Sequence, residues 1–471
     1  MKQYVLVYTL GLIALSAAGS GRADDQYTGL RSPYSDWSVF AEADHTDNVT
    51  LASSAVADTI ETAGVRGGLY RDTGRLIADI AGTLRYEQFQ NHTFDSDTRG
   101  QFVGTVSYAI IPGRFKWIVQ DTYGQVVGDV YAPPTPQNRV NANYLMTGPD
   151  ANVSIGSGFD LLAGARFAAA DFANSSYGNV VNDQSLSAHV GLRERLSKSS
   201  SVSLNGAYTR IAYQGSQSPT FDRSEVAVAY TSRSERGGGA IELGATQVKS
   251  DQSLVGSQTS PLARLMFFRR LTPSWNLNVS GSREFRDNGL GLQSALDASQ
   301  VLNGQVVPVS AGGSDAVDLL LAQSLSRTDS VRVSFDFVRP RTSIAVSSSF
   351  QKDRYPYSAT PLDRESWTVG GGINRRVRPL LTAHLRASVT NRAPEGALPG
   401  DRTTQEDAGL DWQVGRLMLV TLGYEHANRA TDVGGASYQY NRIALHVSYG
   451  VPEHHLKFQQ AAPSESVSMT R

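Results

Sequence analysis

From Leu76 to Tyr86 the chain alternates in character. Leu76, Ala78, Ile80, Gly82, Leu84 and Tyr86 share one parity, and Asp79, Thr83 and Arg85 the other. Successive side chains of a β-strand point to opposite faces, so such a segment is apolar on one side and polar on the other. Twenty segments read this way: 35–44, 59–70, 76–87, 101–111, 115–123, 140–154, 159–170, 185–195, 202–213, 223–232, 240–249, 261–271, 275–285, 330–338, 342–351, 366–374, 381–390, 406–414, 417–426 and 440–451. The connections alternate short and long. Tight turns fall at Arg71–Gly74, Pro112–Arg114, Gly156–Gly158, Thr272–Ser274 and Arg339–Arg341, rich in the residues that tight hairpins require. Longer polar stretches, such as 44–58, 90–99, 124–139 and 393–405, lie between them. This rhythm predicts an all-β, transmembrane, antiparallel up-and-down barrel of about 20 strands, with 18 as the alternative. With twenty strands every short turn falls on one side, the periplasmic one, together with both termini.

Residues 287–328 interrupt the cadence. Ser314-Asp315 ahead of 316–325 reads as a capped helix, so the stretch is expected to be a long loop with a short helix that either narrows the barrel or covers its rim.

The ends of the chain place this barrel. Lys2 precedes an apolar run over 4–18, and Gly21-Arg22-Ala23 supplies small residues for cleavage, so 1–23 reads as a secretory signal peptide. Residues 24–34 are then a periplasmic lead, 35–451 the barrel, and 452–471 a disordered periplasmic tail. No later stretch reaches the roughly 18 uninterrupted apolar residues of a membrane helix. The expected location is the outer membrane of a Gram-negative bacterium.

Composition removes several chemistries. The chain has no cysteine, hence no disulfide, thiolate metal site or lipidated N-terminal cysteine. Its 43 Lys+Arg nearly balance 44 Asp+Glu, without the basic stripe of a nucleic-acid binder. Ser187 and His189 share a strand face, but no third partner is readable, and a hydroxyl beside an imidazole is common on a wet wall. His454-His455 alone make no metal site. The glycine runs 237–239 and 370–372 lack a P-loop lysine and read as a turn and a bend in the wall. No catalytic residue, cofactor or metal is expected, and the chain reads as a non-enzyme.

Two residue sets follow from the parity. Trp37, Trp117, Trp275, Trp367, Trp412, Tyr86, Tyr108, Tyr424 and Tyr449 sit on the apolar parity near strand ends, where barrels carry aromatic girdles. Asp79, Arg85, Glu87, Lys116, Arg166, Arg193, Arg195, Glu284, Arg332, Asp336, Arg386 and Asp411 sit on the polar parity and are expected to line the lumen. Both signs are interleaved there, so no strong ion selectivity follows.

The stretches Phe115–Gln125, Pro134–Asn141 and Thr147–Asp150, with Tyr440, Asn441, Arg442, Leu445, Val447 and Tyr449 of the closing strand, resemble the β-barrel porin-2 family. Within it the chain is similar to outer-membrane barrels associated with exopolysaccharide biosynthesis and exosortase systems. The resemblance implies an outer-membrane barrel serving polysaccharide export, and it transfers no catalytic residues. The partners it implies are membrane lipid, the barrel-assembly machinery, and polysaccharide with separate periplasmic export components. Barrels of this kind finish on an aromatic of the last strand, whereas here Tyr449 is followed by a tail. A passive pore is the leading expectation. A structural or surface-display barrel with a blocked lumen, or a small-solute diffusion porin, are the alternatives.

Overall fold

The structure is a computed structural model, and it describes residues 34–129, 132–173, 182–214, 219–251, 256–287, 325–357, 363–394, 400–432 and 437–450. The expected signal peptide, most of the expected lead, the expected tail and all but the last residue of the expected helix at 316–325 lie outside the described residues.

Twenty strands follow one another: β1 (Tyr34–Thr46), β2 (Asp58–Asp72), β3 (Leu76–Phe89), β4 (Asp97–Ile111), β5 (Phe115–Val127), β6 (Arg139–Ile155) and β7 (Phe159–Phe172). Next come β8 (Asp183–Arg195), β9 (Ser200–Tyr213), β10 (Thr220–Ser234), β11 (Gly237–Ser250), β12 (Ser257–Thr272), β13 (Trp275–Arg286) and β14 (Ser326–Arg339). The last six are β15 (Thr342–Arg354), β16 (Arg364–Arg378), β17 (Leu381–Pro394), β18 (Asp401–Val414), β19 (Met418–Thr431) and β20 (Tyr438–Gly450). Each pairs antiparallel with the next, and β1 also pairs with β20 from Ser38↔Gly450 to Thr46↔Arg442. The sheet is therefore closed, as a membrane requires, since an open edge would leave backbone groups without partners in hydrocarbon. The count of twenty settles the alternative of eighteen.

The strands run longer than the alternation indicates. A span needs only about 9–11 residues, so strands of 12–17 residues extend beyond the apolar band. Gly237–Gly239, expected as a turn, are instead the first paired residues of β11, and Glu235-Arg236 makes the turn. Three turns that begin with proline, at Pro112, Pro273 and Pro379, each follow a register shift. Proline lacks the donor that would continue the ladder, and a bulge absorbs the mismatch.

The outward face is apolar along its middle. On β15 it presents Ile344, Val346, Ser348 and Phe350, and on β14 Val331, Val333, Phe335 and Phe337. Val346 is 48% exposed at mid-strand. Val346→Arg should lower stability by about 2–4 kcal/mol, the range for a cation at the bilayer midplane. Urea unfolding in lipid vesicles reads it, and an unchanged midpoint would mean this face does not meet lipid.

Candidate functional site

The polar parity converges on the barrel axis, and the structure places all twelve sequence-derived candidates on that inner face. Their surroundings differ. Lys116, Arg193, Arg195, Asp336, Arg386 and Asp411 lie in the half nearer the short turns and Arg332 at mid-strand; all retain contact with open space, as does Asp79. Arg85, Glu87, Arg166 and Glu284 are instead buried, each under 10% exposed. These four pack against neighbouring side chains of the wall and are held in ion pairs.

The pairs form discrete clusters. Asp160 accepts from Arg193 (2.9 Å) and Arg195 (2.7 Å), and from the Ser154 hydroxyl (2.8 Å). Asp150 accepts from Arg166 at 2.6 Å, with Lys116 at 3.6 Å. Arg264 on β12 contacts three glutamates on three other strands: Glu284 (2.7 Å), Glu242 (3.0 Å) and Glu225 (3.2 Å). Asn278 donates to Asp336 at 3.0 Å. Arg85 lies 3.2 Å from Glu87, and Arg386 lies 3.5 Å from Asp407. Opposite charges placed this way neutralise one another within the wall, which leaves little net field along the axis.

Two imidazoles lie flat on the inner wall, each over a glycine of the neighbouring strand. His384 is paired with Gly409 and sits between Asp411 (3.1 Å) and Asp407 (3.6 Å). A Cβ on Gly409 would stand 2.5 Å from the His384 ring, so only glycine permits this seat. His189 lies likewise over Gly164, with Asp150 at 3.8 Å. Asp150 is already engaged by Arg166, and no hydrogen bond joins Ser187 to His189 among the described residues, so the Ser187–His189 pair is not assembled as a nucleophile and base. No group of three metal-ligating side chains occurs among the described residues.

The half nearer the long loops is filled. The connection 47–57 folds inward: Asn48 donates to Gln439 O (2.9 Å) and Ala52 O (2.8 Å). Leu51 packs on Ala427, Tyr438 and Tyr440, and Val49 on Ile60, Phe89 and Phe94. Leu51 holds φ at 50°, a left-handed conformation that costs a leucine about 1–2 kcal/mol and is compensated by its burial. The connection 128–138 crosses further. Arg429 on β19 donates to Ala132 O at 3.2 Å. Pro134–Pro136 stand among Thr46, Glu87, Arg99, Tyr440 and Arg442, which come from four strands. Asn138 staples this loop, donating to Asp129 O (2.8 Å) and Pro133 O (3.0 Å) and accepting from Asp129 N (2.7 Å). On the far side Tyr357 donates to Val248 O at 3.1 Å, and burial pushes its hydroxyl up to about 12.

All nine girdle candidates face outward and are exposed. Trp37, Trp117, Trp275, Trp412, Tyr108 and Tyr449 stand near the short-turn end, and Trp367 and Tyr86 near the loop end. Tyr424 sits at mid-strand, and its hydroxyl reaches toward the loop end, donating to Asn441 at 2.8 Å. Sequence reasoning missed the hubs Arg264, Arg99, Arg442 and Glu425. Their parity marks them as inward, but which partners they meet depends on register between strands.

The sequence model of the family described as "Putative beta-barrel porin 2" matches residues 344–450. That is the family read from the residues, and the match takes in the closing strand but not the segments between 115 and 150 that also carried the resemblance. No curated protein matches the chain. Among solved structures, the FrpB iron transporter of Neisseria meningitidis (F3-3 variant) is similar at 10% identity and TM-score 0.44, over 90% of this chain and 82% of that one. A ferric enterobactin receptor (PfeA) mutant of Pseudomonas aeruginosa is similar at 8% identity and TM-score 0.46, over 89% and 80%. OpdQ of Pseudomonas aeruginosa follows at 10% identity and TM-score 0.37, over 90% and 99%. The chain's own closed antiparallel sheet, with its apolar outside and polar inside, makes it an outer-membrane-type, porin-like barrel.

Proposed function

We propose that this barrel is a passive pore in the outer membrane of a Gram-negative bacterium, through which an exported polysaccharide leaves the periplasm. The observation that carries this reading is the inner face of β13–β17 near the short turns. Ser280, Ser334, Ser347, Ser349, Ser388 and Asn374 line it; Asn278 donates to Ser334 and Asn374 to Ser343 (both 3.3 Å), and toward the long connections Ser282···Ser330 (2.9 Å) and Thr368···Thr390 (3.0 Å) pair on the same inner face. A hydroxylated polymer can exchange with such groups at small net gain per contact, because each new hydrogen bond replaces an existing one. Repeated weak contacts let a chain advance, whereas one tight site would hold it.

The export components and the assembly machinery are separate partners in this reading, and the barrel itself performs no catalysis. Deleting the gene in the producing cell should leave polymer accumulating in the periplasm while synthesis continues. Undiminished polymer at the cell surface would overturn the reading.

A structural or display barrel is the second reading, favoured by the inward fold of 47–57 and 128–138. Planar-bilayer conductance of the refolded protein separates the two, since a blocked lumen gives no unitary steps.

A further inference from the structure

The ten long connections contain Asp and Glu, among them Asp47, Asp95, Asp251, Asp363 and Asp432, but neither Lys nor Arg. The nine short turns are the reverse, carrying Arg75, Arg114, Lys198, Arg236, Arg341 and Arg416 against Glu235 alone. Positive charge is thus gathered at the short-turn rim.

It is densest on the outer wall of β12–β16. Thr342 pairs with Arg339 on one side and with Arg375 on the other, so the three side chains form one row across adjacent strands. Two strand spacings set the arginine-bearing backbones about 10 Å apart, with a hydroxyl between them. Arg341 in the β14–β15 turn adjoins the row, Arg269 stands on the outward face of β12 at the level of Leu277 and Phe335, and all four arginines are exposed. Immediately above, Trp275 and Phe337 pack with ring centroids 4.9 Å apart, and Arg339 lies 5.7 Å from the Phe337 ring. Beyond them the wall is apolar.

At the opposite end of this same wall the charges are neutralised in pairs: Arg283 with Asp329 (2.5 Å) and Lys352 with Glu365 (3.2 Å). At the short-turn end the outward faces of β12–β16 carry no acid, and Asp336 of β14 faces the lumen, held by Asn278. Four guanidinium groups without an acid on their own face repel one another, and their depth, just past an aromatic belt, is that of lipid headgroups.

We propose that Arg339, Thr342 and Arg375, assisted by Arg341, bind the phosphodiester headgroup of an anionic phospholipid whose acyl chains lie along β13–β16. Guanidinium forks match phosphate oxygens bidentately, and the threonine hydroxyl can donate to a third oxygen. The apolar wall above receives the chains. This assignment stands whether or not the lumen conducts a polymer.

The test uses the refolded mature protein in nanodiscs of phosphatidylcholine with a minority of phosphatidylglycerol, followed by native mass spectrometry of the lipid retained. The wild type should retain phosphatidylglycerol selectively, and each arginine removed from the row should lower the preference by about fivefold. Arg339→Ser/Arg375→Ser is compared with Arg114→Ser/Arg416→Ser, which removes the same charge elsewhere on the rim and should keep the selectivity. Folding is checked by heat-shifted gel mobility. If the first double variant does not fold, Arg375→Gln alone carries the comparison. No enrichment in the wild type, equal losses in both double variants, or displacement of the lipid by millimolar inorganic phosphate would each overturn the lipid site.

Discussion

Arg264→Met is expected to destabilise the barrel by about 3–5 kcal/mol, the range for breaking a buried ion pair by removing one partner. The guanidinium sits between Glu225, Glu242 and Glu284, with its three nitrogens each within 3.2 Å of a carboxylate. Glu225 and Glu284 keep other cations, since Arg223 lies 3.4 Å from the first and Arg286 3.0 Å from the second. Glu242 is only 4% exposed and is left buried beside two like charges. The loss therefore concentrates on one carboxylate. Adding Glu242→Gln to Arg264→Met should recover a large part of it, because a neutral amide removes the uncompensated charge at nearly constant volume. Urea titrations in lipid vesicles, followed by tryptophan fluorescence, measure both variants. If Arg264→Met unfolds at the wild-type midpoint, water reaches the cluster and the packed half of the lumen is wetter than its burial implies.

Such a hub also marks where the sequence ceases to be legible. The alternation over 76–86, the turn chemistry of Arg71–Gly74 and the outward set of Trp37, Trp117, Trp275 and Trp412 are local, and a period of two needs only neighbours to be read. Strand number follows from the same signals, because every tight turn adds two. Arg264 carries the polar parity too, but its three partners lie 20, 22 and 39 residues away. Nothing local distinguishes it from Arg332 or Arg386, which border open lumen. The fate of a long connection is equally hidden. Residues 128–138 read as an ordinary outer loop, and what turns them inward is Asn138 bonding its own loop and Arg429 reaching Ala132 from 297 residues away. Segregation of acid to the loops and base to the turns was present in the sequence throughout. It becomes visible only once strand ends are fixed closely enough to say which residues belong to a connection.

Replacing residues 129–137 by a short glycine–serine link should raise single-channel conductance severalfold. Conductance follows the open cross-section at the narrowest level, and this loop runs from β5 across the inner faces of β4, β3, β1 and β20 to β19. Arg429→Ala is the milder probe. It removes the contact at Ala132 but leaves the Asn138 staple, so brief openings of a tethered loop are expected in place of a permanently wider pore. The inner wall should survive both changes, because the pairing of β5 with β6 extends to Val127↔Arg139 and does not depend on the loop. The connection 47–57 provides the internal comparison, as it seals the neighbouring sector through Asn48 and Leu51. An increase only when both loops are replaced would place the barrier in their joint packing. An unchanged conductance in every variant, with folding intact, would show that neither loop limits the path and that the narrowest level lies elsewhere along the axis.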